Sequence, residues 1–273
     1  MKPQHSTAFA PTPGELVEFL LAETDQRSAA PVEVQSLLDV LELRSLQLDF
    51  ETGLPEARTA AGEPVRALLD YQERLVAVHS ALSGRRSRFS SLHEIGHYVL
   101  PGHTGQIVVC SESDLGFRAA RAQEREANAF AAEMQFKGRL FKLETAALPI
   151  SAATVKDISE TFDASFESSA RHLVESSLRP CVLAAYQRLD TPGSPGPSTS
   201  VRYSIASSSF KQAYGSQLSD DDNEHVLEVW TTGRDIADSI ANDVSIQTAN
   251  GQTTRFHAEY FFNGYNAFCL MSA

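Results

Sequence analysis

The chain has 273 residues, with 23 Lys and Arg against 35 Asp and Glu, giving a formal charge of −12. That length holds one large domain or two ordinary ones, and the acidic balance excludes broad electrostatic binding of nucleic acid, leaving room only for a local basic patch. Three cysteines, none in a Cys-x-x-Cys pair, exclude a disulfide framework and a thiolate zinc cage.

Cys110, Cys181 and Cys269 therefore read as small buried hydrophobes in a reducing, cytoplasmic setting. No apolar run reaches the ~18–20 residues of a membrane span, and the first residues lack the apolar stretch of a signal peptide.

The first dozen residues read as a ragged end, after which Leu16, Val17, Phe19, Leu20 and Leu21 set a helical pattern from Pro13. A second helix is expected over 31–43, with Pro31 in its first turn, and an alternating strand over 45–54. A Pro/Gly-bearing connection at 55–64 leads to a β-branched strand at 74–82. Residues 85–100 suit a helix that Pro101-Gly102 stops, 105–110 a strand, and the Ala/Glu/Arg-rich stretch 119–134 a further helix.

Helix, short turn and helix are expected over 155–162, 163–165 and 166–178. A Pro/Gly/Ser-rich linker or loop, 191–200, precedes alternating runs at 200–206, 244–249, 252–262 and 265–271. Asn250-Gly251 and Asn263-Gly264 join the last three runs as hairpin turns.

The chemistry concentrates in His93-Glu94-Ile95-Gly96-His97. On a helix, residues four apart lie about 40° apart in projection and about 6 Å apart along the axis, so both imidazoles can reach one ion. Glu94 lies about 60° round from His97, flanking that ion, where it can take a proton from water and pass it to a leaving amine. Zinc suits two nitrogens and a carboxylate and keeps a fourth position for water, and Mn²⁺ is an alternative.

Two residues compete as third ligand. His103 has the spacing of a third histidine, but Leu100 stands where the turn glycine of HExxHxxGxxH would be. Glu124, with Asn128 one turn on, offers a carboxylate ligand and an amide able to fix a histidine tautomer. Glu126 is a decoy, because Phe130 stands four residues after it. The set His93, His97 and Glu124 is favoured, with the roles of His103, Asn128 and Tyr98 left open; Tyr98 is a candidate oxyanion helper.

HEIGHYVLPGH followed by EREANAFAAEM resembles the ImmA/IrrE family of regulatory metallopeptidases. The resemblance implies an α+β chain with a zincin-like domain at 13–150, a helix-turn-helix segment at 151–180 and a GAF-like domain at 181–273. It further implies zinc on His93, His97 and Glu124 with Glu94 as general base. The implied substrate is a helix-turn-helix transcriptional repressor, cut to switch on a radiation or DNA-damage response. Met134-Gln135-Phe136 departs from the Leu-Met-Pro that usually follows the Glu-bearing helix.

The segment 151–180 has Lys156, Arg171 and Arg179 against five acidic residues, so direct DNA binding is disfavoured. An intermediate reading gives Arg171 a part in docking the repressor. Residues 201–273 carry 4 basic and 9 acidic residues, and Asp220-Asp221-Asp222 is most simply a solvated loop. A small-molecule or metal signal could act on this last domain. The competing reading is a non-catalytic, zinc-containing transcription regulator that acts by binding protein or DNA.

Overall fold

The computed structural model describes residues 11–28, 31–54, 59, 62–116, 121–189, 198–215, 223–247 and 253–273. The chain divides into two compact units, Met1–Phe141 and Lys142–Ala273.

In the first unit, α1 (Pro13–Glu23) starts from a capping box, in which the Thr12 hydroxyl accepts from the Glu15 amide and the Glu15 carboxylate accepts from the Thr12 amide. The second helix, α2 (Val34–Val40), begins three residues later than expected. Strand β1 (Arg44–Leu48) is shorter than the expected 45–54, because Asp49 accepts hydrogen bonds from the amides of Glu51 and Thr52 and turns the chain into α3 (Phe50–Gly53). There follow β2 (Ala67–Asp70), β3 (Leu75–His79), α4 (Gly84–Val99), β4 (Ile107–Cys110) and α5 (Ala122–Gln135).

The sheet order is β1-β3-β2-β4, with β1 parallel to β3 and the other two pairs antiparallel. One face, bearing Leu69, Val76 and Val78, packs with Val17 and Leu20 of α1, Leu92 and Ile95 of α4, and Phe130 and Met134 of α5. Phe50 and Val65 cover Leu68 and Ala77 on the other face. Both faces of β2 are thus buried, which is why its Ala-Leu-Leu shows no alternation and the sequence reading passes over it.

A short α6 (Arg139–Thr145) leads into the second unit. There α7 (Ala152–Thr161) and α8 (Phe166–Ser176) are each capped by a serine hydroxyl, Ser151 and Ser165. Strands β5 (Cys181–Leu189) and β6 (Ser198–Ala206), helices α9 (Ser208–Tyr214) and α10 (Asn223–Thr232), and strands β7 (Ile240–Gln247), β8 (Thr253–Phe262) and β9 (Ala267–Ser272) complete it. The five strands form an antiparallel sheet of order β6-β5-β9-β8-β7.

Alternation places Phe256, Ala258 and Tyr260 with Phe210 of α9 and Val226 and Val229 of α10. Phe261 and Phe268 point the other way, where Phe166 of α8 meets them at ring-centroid distances of 5.1 and 6.2 Å. The helical pair therefore packs on the C-terminal sheet. Helix α8 buries Ser169, Ala170, His172, Leu173 and Val174, so the surface a recognition helix would present is taken up by packing. Arg171 is mostly covered and lies 3.9 Å from Glu175.

The expected linker is shorter than 191–200, because Ser198–Ser200 belong to β6; it joins two strands that pair with each other. Its residues 191–197, the Asn250-Gly251 turn and Asp220–Asp222 lie outside the described residues. At the other hairpin, Gly264 has φ +92° and Asn263 Oδ1 accepts from the amides of Tyr265 and Asn266.

Candidate metal centre

Helix α4 carries His93, Glu94 and His97, all buried, and ends where Pro101 cannot extend it. Its pairing with α5 depends on Gly96. A Cβ there would lie 3.0 Å from Phe130 Cδ1 and 3.3 Å from both Cα and the carbonyl oxygen of Ala127. The bare glycine lets α5 approach closely enough to bring Glu124 to the histidines. Glu124 Oε2 lies 3.2 Å from His93 Nε2 and 3.1 Å from His97 Nε2, and the two Nε2 atoms are 3.1 Å apart.

The edge strand β4 delivers a fourth donor that the sequence reading set aside. Cys110 Sγ is 3.4 Å from His93 Nε2, 4.0 Å from His97 Nε2 and 3.7 Å from Glu124 Oε2. Cys181 and Cys269 are buried in β5 and β9, as small hydrophobes are expected to be. Cys110 instead belongs to a buried group of two imidazoles, a carboxylate and a thiol that can hold a metal ion. No spacing rule links a strand-end cysteine to a helix 13 residues before it, so sequence reasoning had no signal for it.

Around these donors the orientation of each ring is fixed. Asn128 Nδ2 donates to the carbonyls of Asp114 (2.8 Å) and Gly116 (3.1 Å), which forces its Oδ1 toward His93 Nδ1 at 2.9 Å. His93 Nδ1 must then carry the proton, leaving the Nε2 lone pair for an ion. The loop that supplies those carbonyls is itself closed by Asp114, which accepts from the amide and hydroxyl of Ser111.

His97 is held from its far side by His103. Gly102, at φ +83°, turns the chain back two residues after Leu100, so the missing glycine at position 100 is replaced by a later one. This brings His103 Nδ1 to 2.9 Å from His97 Nδ1 and His103 Nε2 to 3.0 Å from Glu126 Oε2. For His97 to offer Nε2 to an ion, its Nδ1–H donates to His103, whose own Nε2–H donates to Glu126. Burial lowers the basicity of His103, against the pull of Glu126, which keeps an unprotonated Nδ1 available. His103 is thus outside the donor cluster, and Glu126 has a partner after all. The Tyr71 hydroxyl, pushed up to about 12 by burial, donates to the carbonyls of His97 (2.6 Å) and His103 (3.2 Å) and ties the returning chain to the helix. Tyr98 stacks on the Tyr71 ring, with centroids 6.0 Å apart.

Two carboxyl groups in the same buried region have opposite character. For Glu124, burial acts to raise the carboxyl, but the His93 and His97 rings outweigh it and hold the group well below the usual carboxylate range. Glu94 is fully buried, and neither of its oxygens has a hydrogen-bond partner of ordinary geometry among the described residues. Burial pushes its carboxyl up to about 8, although the charge of His97 and the nearby Cys110 thiol act in the opposite direction. A buried carboxyl with so little hydrogen bonding is costly unless something outside the chain completes it, such as water beside a cation. The donor set and this unsatisfied acid fit a metal centre.

The comparisons with known proteins agree with this geometry. Residues 57–173 match the family model of the IrrE N-terminal-like domain, peptidase M78. No curated protein sequence matches the chain. Among solved structures, a Mycobacterium tuberculosis transcriptional regulator is similar, with 12% identity and a TM-score of 0.55 over 95% of this chain and 75% of the other. At that identity the likeness concerns the fold. No helix among the described residues is long and apolar enough to cross a membrane. The match over residues 57–173 to the IrrE N-terminal-like domain agrees with the resemblance to the ImmA/IrrE family that HEIGHYVLPGH and EREANAFAAEM carry.

Proposed function

We propose that this protein is a zinc-dependent, site-specific endopeptidase that cleaves a helix-turn-helix transcriptional repressor and so switches on a response to radiation or DNA damage. The observation that carries the catalytic reading is the fully buried Glu94 carboxyl beside a four-donor cluster. Imidazole, carboxylate and thiol donors suit Zn²⁺ better than harder ions, with Mn²⁺ as the alternative. The metal, held by His93, His97 and Glu124, would polarise the scissile carbonyl and stabilise its developing negative charge.

The chain's own residues do the rest. Glu94 takes a proton from the attacking water and returns it to the leaving amine, a task suited to an acid whose pKa lies near the working pH. Asn128 holds the His93 tautomer, while Glu126 and His103 hold that of His97. Desolvation around Glu94 strengthens each of these interactions.

Regulation of transcription is supported by the family resemblance and by the fold shared with a transcriptional regulator. An acidic chain suits a basic DNA-binding protein as its substrate. The antiparallel sheet of the second unit, with helices on both faces, supports the GAF-like reading and a small-molecule or metal signal there. The capped α7–α8 pair supports a helix-turn-helix shape whose buried second helix contributes to packing.

A second reading, a non-catalytic zinc-containing regulator, is favoured by Cys110, because four protein donors describe a closed structural centre. The test is cleavage of a purified candidate repressor with Zn²⁺ or Mn²⁺ by wild type and Glu94→Gln, with metal content measured on both. Cleavage by wild type alone, at equal metal content, supports the peptidase. Equal cleavage by both, or none by either, refutes it.

A further inference from the structure

The fourth donor bears directly on how the centre works. A tetrahedral zinc ion has edges of about 3.3 Å between nitrogen or oxygen donors and about 3.5 Å from sulfur to either, given Zn–N of ~2.0–2.1 Å and Zn–S of ~2.3 Å. The three edges among His93, His97 and Glu124 are 3.1, 3.1 and 3.2 Å, and the three to Cys110 Sγ are 3.4, 3.7 and 4.0 Å. The sulfur occupies the fourth vertex of a slightly elongated tetrahedron. It is also fixed there by backbone: Cys110 pairs with Ala67 across the sheet, and its carbonyl accepts from the Arg66 amide at 2.8 Å. Its sulfur lies among two ring nitrogens and the Glu124 carboxylate.

We propose that Cys110 is a metal ligand, that its thiolate closes the resting centre, and that the closed centre is a latent form from which Cys110 must depart before water can occupy the fourth position. Coordination is an exchange of a proton for a metal: the S–H bond breaks, the proton leaves to solvent, one sulfur–metal bond forms, and no electron is transferred. Departure reverses this, with water taking the vertex beside Glu94. Glu94 is the second sign of that alternative state, because its fully buried carboxyl lies beside the Cys110 thiol, the group that stands where the water would be. The ligand assignment stands on geometry alone; latency rests on the peptidase reading above.

The experiment loads the full-length protein with Co²⁺ and records its absorption spectrum for wild type and Cys110→Ser. Wild type is expected to show a near-ultraviolet thiolate-to-cobalt charge-transfer band and intense visible bands of a four-coordinate ion. In Cys110→Ser, at equal bound cobalt, the charge-transfer band is lost. A wild type without that band, or a variant that retains it, overturns the assignment. Should the variant fail to fold, X-ray absorption at the zinc edge of the wild type decides, with one sulfur expected at about 2.3 Å. Its absence overturns the proposal.

Latency is read separately, from repressor cleavage by the zinc-loaded proteins. Cys110→Ser is expected to cleave faster than wild type, and equal or slower cleavage overturns latency while leaving the ligand in place. If the sulfur band is present and no protein cleaves, the peptidase reading itself fails, and the centre is the closed structural one.

Discussion

Gly96→Ala offers a sharp test of how the donor cluster is assembled. In a helix interior the change should gain about 1 kcal/mol from backbone entropy. Against this, the new methyl would sit 3.0 Å from Phe130 Cδ1, where apolar carbons prefer about 3.5–4.0 Å. Phe130 is fully buried, and the other two contacts, at 3.3 Å, are backbone atoms of Ala127, so no flexible side chain can simply swing away. Overpacking of this kind costs about 1–3 kcal/mol. The net expectation is a loss of up to about 2 kcal/mol, with α5 displaced by roughly half an ångström.

That displacement carries Glu124 and Asn128, which flank Ala127 on the same helix, away from His93 and His97. Metal sites tolerate departures of only about 0.2 Å from ideal distances, so zinc affinity should fall along with stability. Urea denaturation of the metal-free protein and competition with a zinc chelator measure the two quantities. Gly84→Ala, where an added Cβ meets nothing within 4 Å, should leave zinc affinity unchanged. If Gly96→Ala stabilises the protein and binds zinc as wild type does, the close approach of α4 and α5 does not set the ligand geometry.

Asn128→Ala should weaken zinc binding by about 10–100-fold through loss of the His93 tautomer lock. Asn128→Asp should not restore it, because a carboxylate would face the carbonyls of Asp114 and Gly116; wild-type affinity in either variant would refute the arrangement. Glu126→Gln, which keeps the shape but removes a charge acceptor from an exposed position, should lower affinity less than His103→Ala, and the reverse order would remove the His103 relay. In the second unit, burial holds His172 neutral down to about 3, against an ordinary value of 6.5. Between those pH values the unfolded chain binds the extra proton, so stability is full above about 6.5 and falls as pH is lowered, by at most roughly 5 kcal/mol. His172→Leu should flatten that acid limb in denaturant titrations of the second unit's unfolding; an unchanged limb would exclude His172 as its source.

The sequence by itself determined the local half of this protein. Four-residue spacing placed His93 and His97 on one helix face, Pro101-Gly102 ended that helix, and Glu124 with Asn128 offered a candidate ligand and an amide to orient a histidine, one turn apart. Each is a property of neighbours along the chain, fixed by helix geometry. Strands β2 and β5 escaped notice for the converse reason: buried on both faces, Ala67–Leu69 and Cys181–Tyr186 have no alternation to read. Only the tertiary structure decided what crosses between elements. It assigned the α7–α8 pair to the C-terminal sheet, turned His103 from rival ligand into a prop for His97, and gave Glu126 that histidine as partner. It also brought the end of β4 to the metal site, making Cys110 a candidate fourth donor. Such roles depend on where separate elements meet in space, which Gly96 permits by letting two helices touch and which no spacing within either helix encodes.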